Sequence, residues 1–253
     1  VASRAQLESI AEVILAKARP DVRVYADEIY ENILFDGSRH FSIASLPGMA
    51  ERTIIASGAS KSYSWTGGRI GWAVLPTVDE ALTFKTLNIN YFSCTAGYNQ
   101  MGAKLAIESP ESAPAIERMV RAFQERRDHV VRALNSIEGV RCQLPKGAFY
   151  VFPNIAGLCE RLGAIDLYER LPAEVKPTTS PSTLFQMFLL FRYGVAALDR
   201  RAFGAIGAEG RHFLRISVAT ALDDLKEGME RIRAAAGDVD GFEAFVREGR
   251  RLS

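Results

Sequence analysis

The chain has 253 residues, 48% of them hydrophobic and 24% charged, and 31 basic residues against 30 acidic ones leave a net charge of +1. That balance gives no electrostatic case for nucleic acid or a charged membrane surface, and the length suffices for one large or two modest domains. No apolar run approaches membrane-spanning length, no stretch resembles a secretory signal peptide, and three cysteines without metal-ligand spacing fit a reducing cytoplasm.

In chain order, Ser3-Arg4-Ala5-Gln6 is a capping box that predicts a helix to about Ala18. Val22 to Ala26 reads as a strand, followed at once by Asp27-Glu28-Ile29-Tyr30. Phe35-Asp36-Gly37 reads as a turn, and a loop through Ser45-Leu46-Pro47-Gly48 leads to a second strand at Thr53-Ile54-Ile55. The small residues Ser57-Gly58-Ala59-Ser60 then deliver Lys61. Arg69 follows Gly67-Gly68, just ahead of an apolar run from Ile70 to Leu75. Thr77-Val78-Asp79-Glu80 is a second capping box, expected to start a short helix, and Ala96 to Glu108 reads as another. Beyond Pro110 and Pro114 a long amphipathic helix carries Ile116, Met119, Val120, Phe123, Val130, Leu134 and Ile137 on one face.

The later part alternates again. Gly139 to Gln143 and Ala148 to Phe152 read as strands joined through Pro145-Lys146-Gly147, and Pro172 to Pro181 as an exposed loop. Pro181 opens a helix to Tyr193 that Gly194 closes, apolar almost all round and therefore expected in a core. Strands at Val195 to Leu198 and His212 to Val218 follow, then a helix from Leu222 to about Ala236 and a tail, 237–253, expected to form at most a surface helix.

A lysine just past a buried strand is poorly placed for packing and well placed for a site, because α/β sheets keep ligands at the carboxyl ends of their strands. Alone it reads as a solvated loop lysine. Its neighbours change that: small residues let a ligand approach the backbone, and Arg69 supplies a planar cation suited to phosphate. Histidines 40, 129 and 212 are scattered and indicate no metal cluster.

An aspartate ending one strand, a tyrosine three residues on, and a neighbouring strand ending in lysine with an arginine eight residues beyond form a specific set. Asp27-x-x-Tyr30, Ser60-Lys61, Thr66-Gly67-Gly68-Arg69-Ile70-Gly71 and Phe213-Leu214-Arg215-Ile216-Ser217 together resemble the fold-type I pyridoxal-phosphate aminotransferases, class I/II. The resemblance implies an α/β fold: a three-layer α/β/α cofactor domain with a mostly parallel sheet, present in part over residues 1–109, and a linking helix with a smaller α+β C-terminal domain over 110–253. It implies pyridoxal 5'-phosphate as cofactor, bound covalently to Lys61, which then shuttles the substrate proton. Asp27, buried, would face the ring nitrogen; Tyr30 would donate to the phenolate oxygen; Arg69 would clamp the phosphate; Arg215 would grip the substrate α-carboxylate.

Each residue also has a plainer reading: a turn aspartate, a half-buried core tyrosine, a surface ion pair for Arg69, an outward strand arginine. The partners implied are an amino acid, a 2-oxo acid and a second copy in a homodimer. Gly58 departs from relatives that place a phosphate-binding hydroxyl there; Ser57 and Ser60 stand nearby without assignment. Gly147-Ala148-Phe149-Tyr150 resembles a segment near the substrate mouth. The resemblance covers only the later part of the family. Absent are its glycine-containing phosphate loop, the aromatic that stacks on the ring and the asparagine at the phenolic oxygen. That leaves two alternatives to a transaminase: a lyase or decarboxylase of the same fold, or a chain that is non-catalytic unless complemented.

Overall fold

A computed structural model of the chain describes residues 1–204 and 210–249. It divides into two compact units, Val1–Arg121 with Lys146–Ala148, and Ala122–Pro145 with Phe149–Ser253.

The first unit begins with α1 (Arg4–Lys17), whose capping box is complete. The Gln6 amide donates to Ser3 Oγ at 3.3 Å and the Ser3 amide to Gln6 Oε1 at 2.8 Å. The strands β1 (Val24–Asp27) and β2 (Thr53–Gly58) pair in parallel, with Val24 opposite Thr53 and Asp27 opposite Ala56. Directly after β2 comes the single turn α2 (Ala59–Ser62), then β3 (Gly71–Val74), antiparallel to β2 with Gly58 opposite Gly71. The order β1-β2-β3 is thus one parallel pair with an antiparallel edge strand. Ala11 of α1 packs with Ile43, Met49, Val24 and Ala26, and a second cluster gathers Ala59, Ile70, Trp65 and Trp72 around Ala103.

Next is α3 (Val78–Phe92), which runs for 15 residues where a short helix was expected. Thr77 Oγ1 accepts from the Glu80 amide at 3.2 Å, whereas the Glu80 carboxylate turns to that hydroxyl and to Arg23, so only half of the capping box forms. Then come α4 (Gly97–Glu108), holding Ala103, and α5 (Ser112–Asn135), along which the second unit takes over at Ala122.

The second unit continues with β4 (Tyr150–Val151), α6 (Ala156–Arg161), α7 (Ala164–Glu169), α8 (Pro181–Tyr193), β5 (Leu198–Asp199), β6 (Leu214–Ser217), α9 (Leu222–Gly237) and α10 (Val239–Glu248). Its sheet has β6 in the centre, antiparallel to β4 and β5. One contiguous core unites Val130 and Leu134 of α5, Leu184, Phe185 and Phe188 of α8, Leu214 and Ile216 of β6, and Met229 and Ile232 of α9.

Several sequence expectations are corrected here. No strand forms over Gly139–Gln143; Arg141 makes a single bridge to Asn154, and the Asn135 side-chain amide takes both backbone groups of Cys142 in place of a ladder. Val195 is tied to Leu189 by the left-handed cap at Gly194, so β5 begins only at Leu198. Residues 172–181 include a 3₁₀ turn, Lys176–Thr178, and the buried Thr179. On α8, Leu190 and Phe191 are exposed, so its apolar surface is buried on one side only. The tail is not a surface helix: α10 buries Phe242, Phe245 and Val246, with Phe242 ringed by Phe185 and Phe188. Residues 250–253 of that expectation lie outside the described residues.

Candidate active site

Parallel pairing brings the carboxyl ends of β1 and β2 side by side, and the first unit opens there into a cavity of about 430 Å³. Asp27, Tyr30, Lys61 and Arg69 all line it, with Ile29, Ala56, Ser57, Ser60 and Thr66. Segments more than twenty residues apart in sequence thus supply a carboxylate, a phenol, an amine and a guanidinium to one space.

Local structure aims each group. Lys61 sits in the single turn of α2, half-buried, held close to the end of β2 by the Ala59 amide donating to Ile70 O at 3.1 Å. Arg69 takes a left-handed conformation, φ 49°, where the chain leaves the 3₁₀ turn Thr66–Gly68. Its Nη1 donates to Thr66 O at 2.9 Å, and Asn99 Nδ2 donates to Gly68 O at 2.9 Å, fixing the turn from α4. The Trp65 ring lies on this turn. A Cβ on Gly68 or on Gly102 would come within 2.5 Å of it, so both glycines are needed for that packing.

Asp27 differs from expectation. It is exposed rather than buried, and its Oδ1 accepts from the Ile29 amide at 3.3 Å, so it also serves as the turn aspartate of its plainer reading. Burial of that carboxylate requires cover on the far side of β1, and β1 is an edge strand among the described residues. Tyr30 is half-buried. Ser57 has its hydroxyl committed to Glu31 Oε1 at 3.1 Å, whereas Ser60 lines the cavity beside Lys61. Burial and the Glu31 charge together raise the nearby Tyr63 phenol above its ordinary value.

Arg215 belongs to the second unit, in the middle of β6, half-buried between the buried Leu214 and Ile216. Its guanidinium carbon lies 4.4 Å from the Tyr150 ring centre and 4.8 Å from that of Phe203, a cation held between two aromatic rings. Sequence reading gave Tyr150 no role and did not reach Phe203. Alternation along β4 and the aromatic just after β5 were the available signals. Among the described residues no group of three His, Cys, Asp or Glu could hold a metal, and no helix is long and apolar enough to cross a membrane.

Residues 1–232 match the model of the family described as Aminotransferase class I and II. The chain belongs to the class I and II aminotransferase family. It is 34% identical over 234 residues to an aspartate aminotransferase of Pyrococcus abyssi, covering 92% of this chain and 52% of that protein. Among solved structures it is similar to the aspartate aminotransferase of Rhizobium meliloti, 33% identical with a TM-score of 0.77, covering 94% of this chain and 55% of that one. It is also similar to an aromatic aminotransferase of Pyrococcus horikoshii, 32% identical with a TM-score of 0.74, covering 100% of this chain and 57% of that one. The chain therefore spans about half the length of the aminotransferases it matches.

Within the family pattern the glycine at position 58 has a steric cause here. A Cβ on Gly58 would lie 2.7 Å from Ile70 O and 3.0 Å from Gly71 Cα, both backbone atoms where the chain enters β3. A side chain there would crowd that backbone, and the aliphatic hydroxyls that line the cavity belong to Ser57, Ser60 and Thr66.

Proposed function

We propose that this chain is the lysine-bearing part of an aminotransferase that moves an amino group between an amino acid and a 2-oxo acid on pyridoxal 5'-phosphate. The convergence of Lys61, Asp27, Tyr30 and Arg69 on one cavity carries this reading, because that donor set suits the cofactor's carbonyl, ring nitrogen, phenolate and phosphate one for one. When bound, pyridoxal phosphate supplies an electron sink for the charge that develops at the substrate α-carbon.

The residues divide the remaining work. Lys61 would hold the cofactor through its amine and, as a free neutral amine, would take the proton from the substrate α-carbon. Asp27 would hold a proton on the ring nitrogen, and Tyr30 would donate to the phenolate oxygen. Arg69, fixed by Thr66 O, would pair with the phosphate. Arg215 receives the substrate α-carboxylate, with its plane set by Tyr150 and Phe203. A seat for a carboxylate favours transamination over a lyase or decarboxylase, since both half-reactions present one. Homodimer assembly and a cytoplasmic setting belong to the same reading, the latter supported by three free cysteines.

A second reading, that the chain holds cofactor only with further polypeptide laid over it, is favoured by α3. Its Val78, Leu82, Phe84, Leu87, Ile89, Tyr91 and Phe92 are 43% to 77% exposed, and the helix buries no residue. A helix this apolar is ordinarily covered.

One titration separates the readings. Pyridoxal phosphate added to the purified chain should give a visible band that borohydride fixes on Lys61 and that Lys61→Ala lacks; an amino acid should then bleach it. No band from the chain alone would overturn independent catalysis and leave the complemented form, which mass and gel filtration would identify.

A further inference from the structure

The turn that carries Asp27 and Tyr30 is secured on both sides by carboxylates that the proposed chemistry does not use. On one side, Glu28 accepts from Ser42 Oγ at 2.6 Å and shares a 2.8 Å hydrogen bond with His40 Nε2, one partner for each carboxylate oxygen. Only 11% of its side chain is exposed. Ser42 also caps the 3₁₀ turn Ile43–Ser45, whose Ile43 is buried with Ala11 and Met49, so this anchor is itself anchored in packing. On the other side, Ser57 Oγ donates to Glu31 Oε1 at 3.1 Å, and the buried Ser62 Oγ to Ile29 O at 3.4 Å. Ser57 is in β2 and Ser62 in α2, on either side of Lys61. The backbone completes the frame, with the Glu28 amide donating to Ala56 O at 2.8 Å.

We propose that Glu28, with His40 and Ser42, and Glu31, with Ser57, are positioning residues that clamp the Asp27–Tyr30 turn at a fixed distance from Lys61. Glu28 is the centre of the clamp. A carboxylate so little exposed with both oxygens bonded makes each bond count for more than at the surface, and removing it leaves two polar groups without their acceptor. The turn then keeps its backbone bonds but loses its tie to the 40–45 loop. Asp27 and Tyr30 are moved more than Lys61, because the Lys61 turn, though linked to theirs through Ser62 and Ile29, is also held through Ala59 and Ile70. The clamp acts on the cofactor reading of this cavity and rests on it.

The test uses the full chain and two readouts. Hydrogen exchange without cofactor follows the amides of residues 28–33 in the wild type, Glu28→Ala, His40→Ala, His40→Gln and the milder Ser42→Ala. Exchange at 28–33 should rise by on the order of tenfold in Glu28→Ala and His40→Ala, less in Ser42→Ala, with β2 and β3 unchanged and His40→Gln restored toward wild type. With pyridoxal phosphate added, Glu28→Ala should still be labelled on Lys61 by borohydride, while the pH midpoint of its visible band shifts from wild type. Unchanged exchange at 28–33 overturns the clamp whatever the cofactor does. Faster exchange with an unshifted midpoint reduces Glu28 to a structural residue and overturns the positioning role. A wild type without any band overturns independent cofactor binding by this chain and leaves the complemented form, and the exchange data alone then decide whether the clamp exists. If Glu28→Ala does not fold, Ser42→Ala and the His40 pair carry both readouts.

Discussion

Restoring a hydroxyl at position 58 is the sharpest challenge to the steric account of this cavity. In Gly58→Ser the new Cβ would stand 2.7 Å from Ile70 O, 3.0 Å from Gly71 Cα and 3.3 Å from Ile29 Cδ1. The isoleucine tip can yield; the other two are backbone at the entry to β3, which pairs with β2 through Gly58 and Gly71. Relief therefore means displacing a strand, and overpacking of this kind costs about 1–3 kcal/mol. One gain opposes it: Gly58 is the N-cap of α2, and serine improves on glycine there by only about a few tenths of a kcal/mol. Backbone strain does not enter, because φ at Gly58 is 174°, extended and open to any residue. The net expectation is a loss of about 0.5–2.5 kcal/mol. Tryptophan fluorescence in a urea titration reads it cleanly, because both tryptophans of the chain, Trp65 and Trp72, pack in the first unit beside Ala59 and Ile70. A Gly58→Ser midpoint equal to or above wild type would refute the reasoning, as would tighter pyridoxal-phosphate binding without loss of stability.

Other expectations concern the second unit. Phe242→Ala should cost about 3–5 kcal/mol by circular dichroism, since the ring is fully buried against Phe185 and Phe188; a loss below about 1 kcal/mol would return α10 to the surface. Burial pushes the Cys142 thiol up to about 11 and the Cys159 thiol up to about 12, so an aromatic disulfide at pH 8 should titrate one thiol, the exposed Cys94, in the native chain and three in denaturant. Burial holds His212 below its ordinary value of 6.5, so the unfolded chain binds more protons just below that pH. Its contribution to stability is full above pH 6.5 and is lost as pH falls toward the folded value, a slope that His212→Asn should flatten in denaturation at stepped pH.

The elements that local signals specify are those the sequence made legible. Ser3 with Gln6, Pro181 with Gly194, and the β-branched run at Thr53 each carry their own boundary, and α1, α8 and β2 appear where those signals put them. Two of the misses were decided by a partner outside the element itself. Asn135 satisfies Cys142 and so removes a strand; Phe185 and Phe188 turn a weakly patterned tail into α10. Neither partner is visible in a local window.

The cavity follows the same logic and shows where it stops. Asp27 lies opposite Ala56 in a parallel pair, and Lys61 follows five residues after Ala56, so two short motifs become neighbours through a single register. That is why the motifs that carry the family resemblance, with Asp27, Tyr30, Lys61 and Arg69, come to line one cavity. The state of the Asp27 carboxylate is a different kind of property. Holding a proton on a ring nitrogen favours a desolvated carboxylate, yet Asp27 is exposed, on a strand that is an edge among the described residues. The exposed apolar length of α3 points the same way, because a sheet edge and a helix that both want cover are answered by the same kind of event. The two can be tied experimentally: whatever polypeptide protects α3 from hydrogen exchange should also tighten cofactor binding in the wild type and not in Asp27→Ala. Protection of α3 with equal tightening in both proteins would separate the helix from the carboxylate and leave Asp27 as the turn residue it also is.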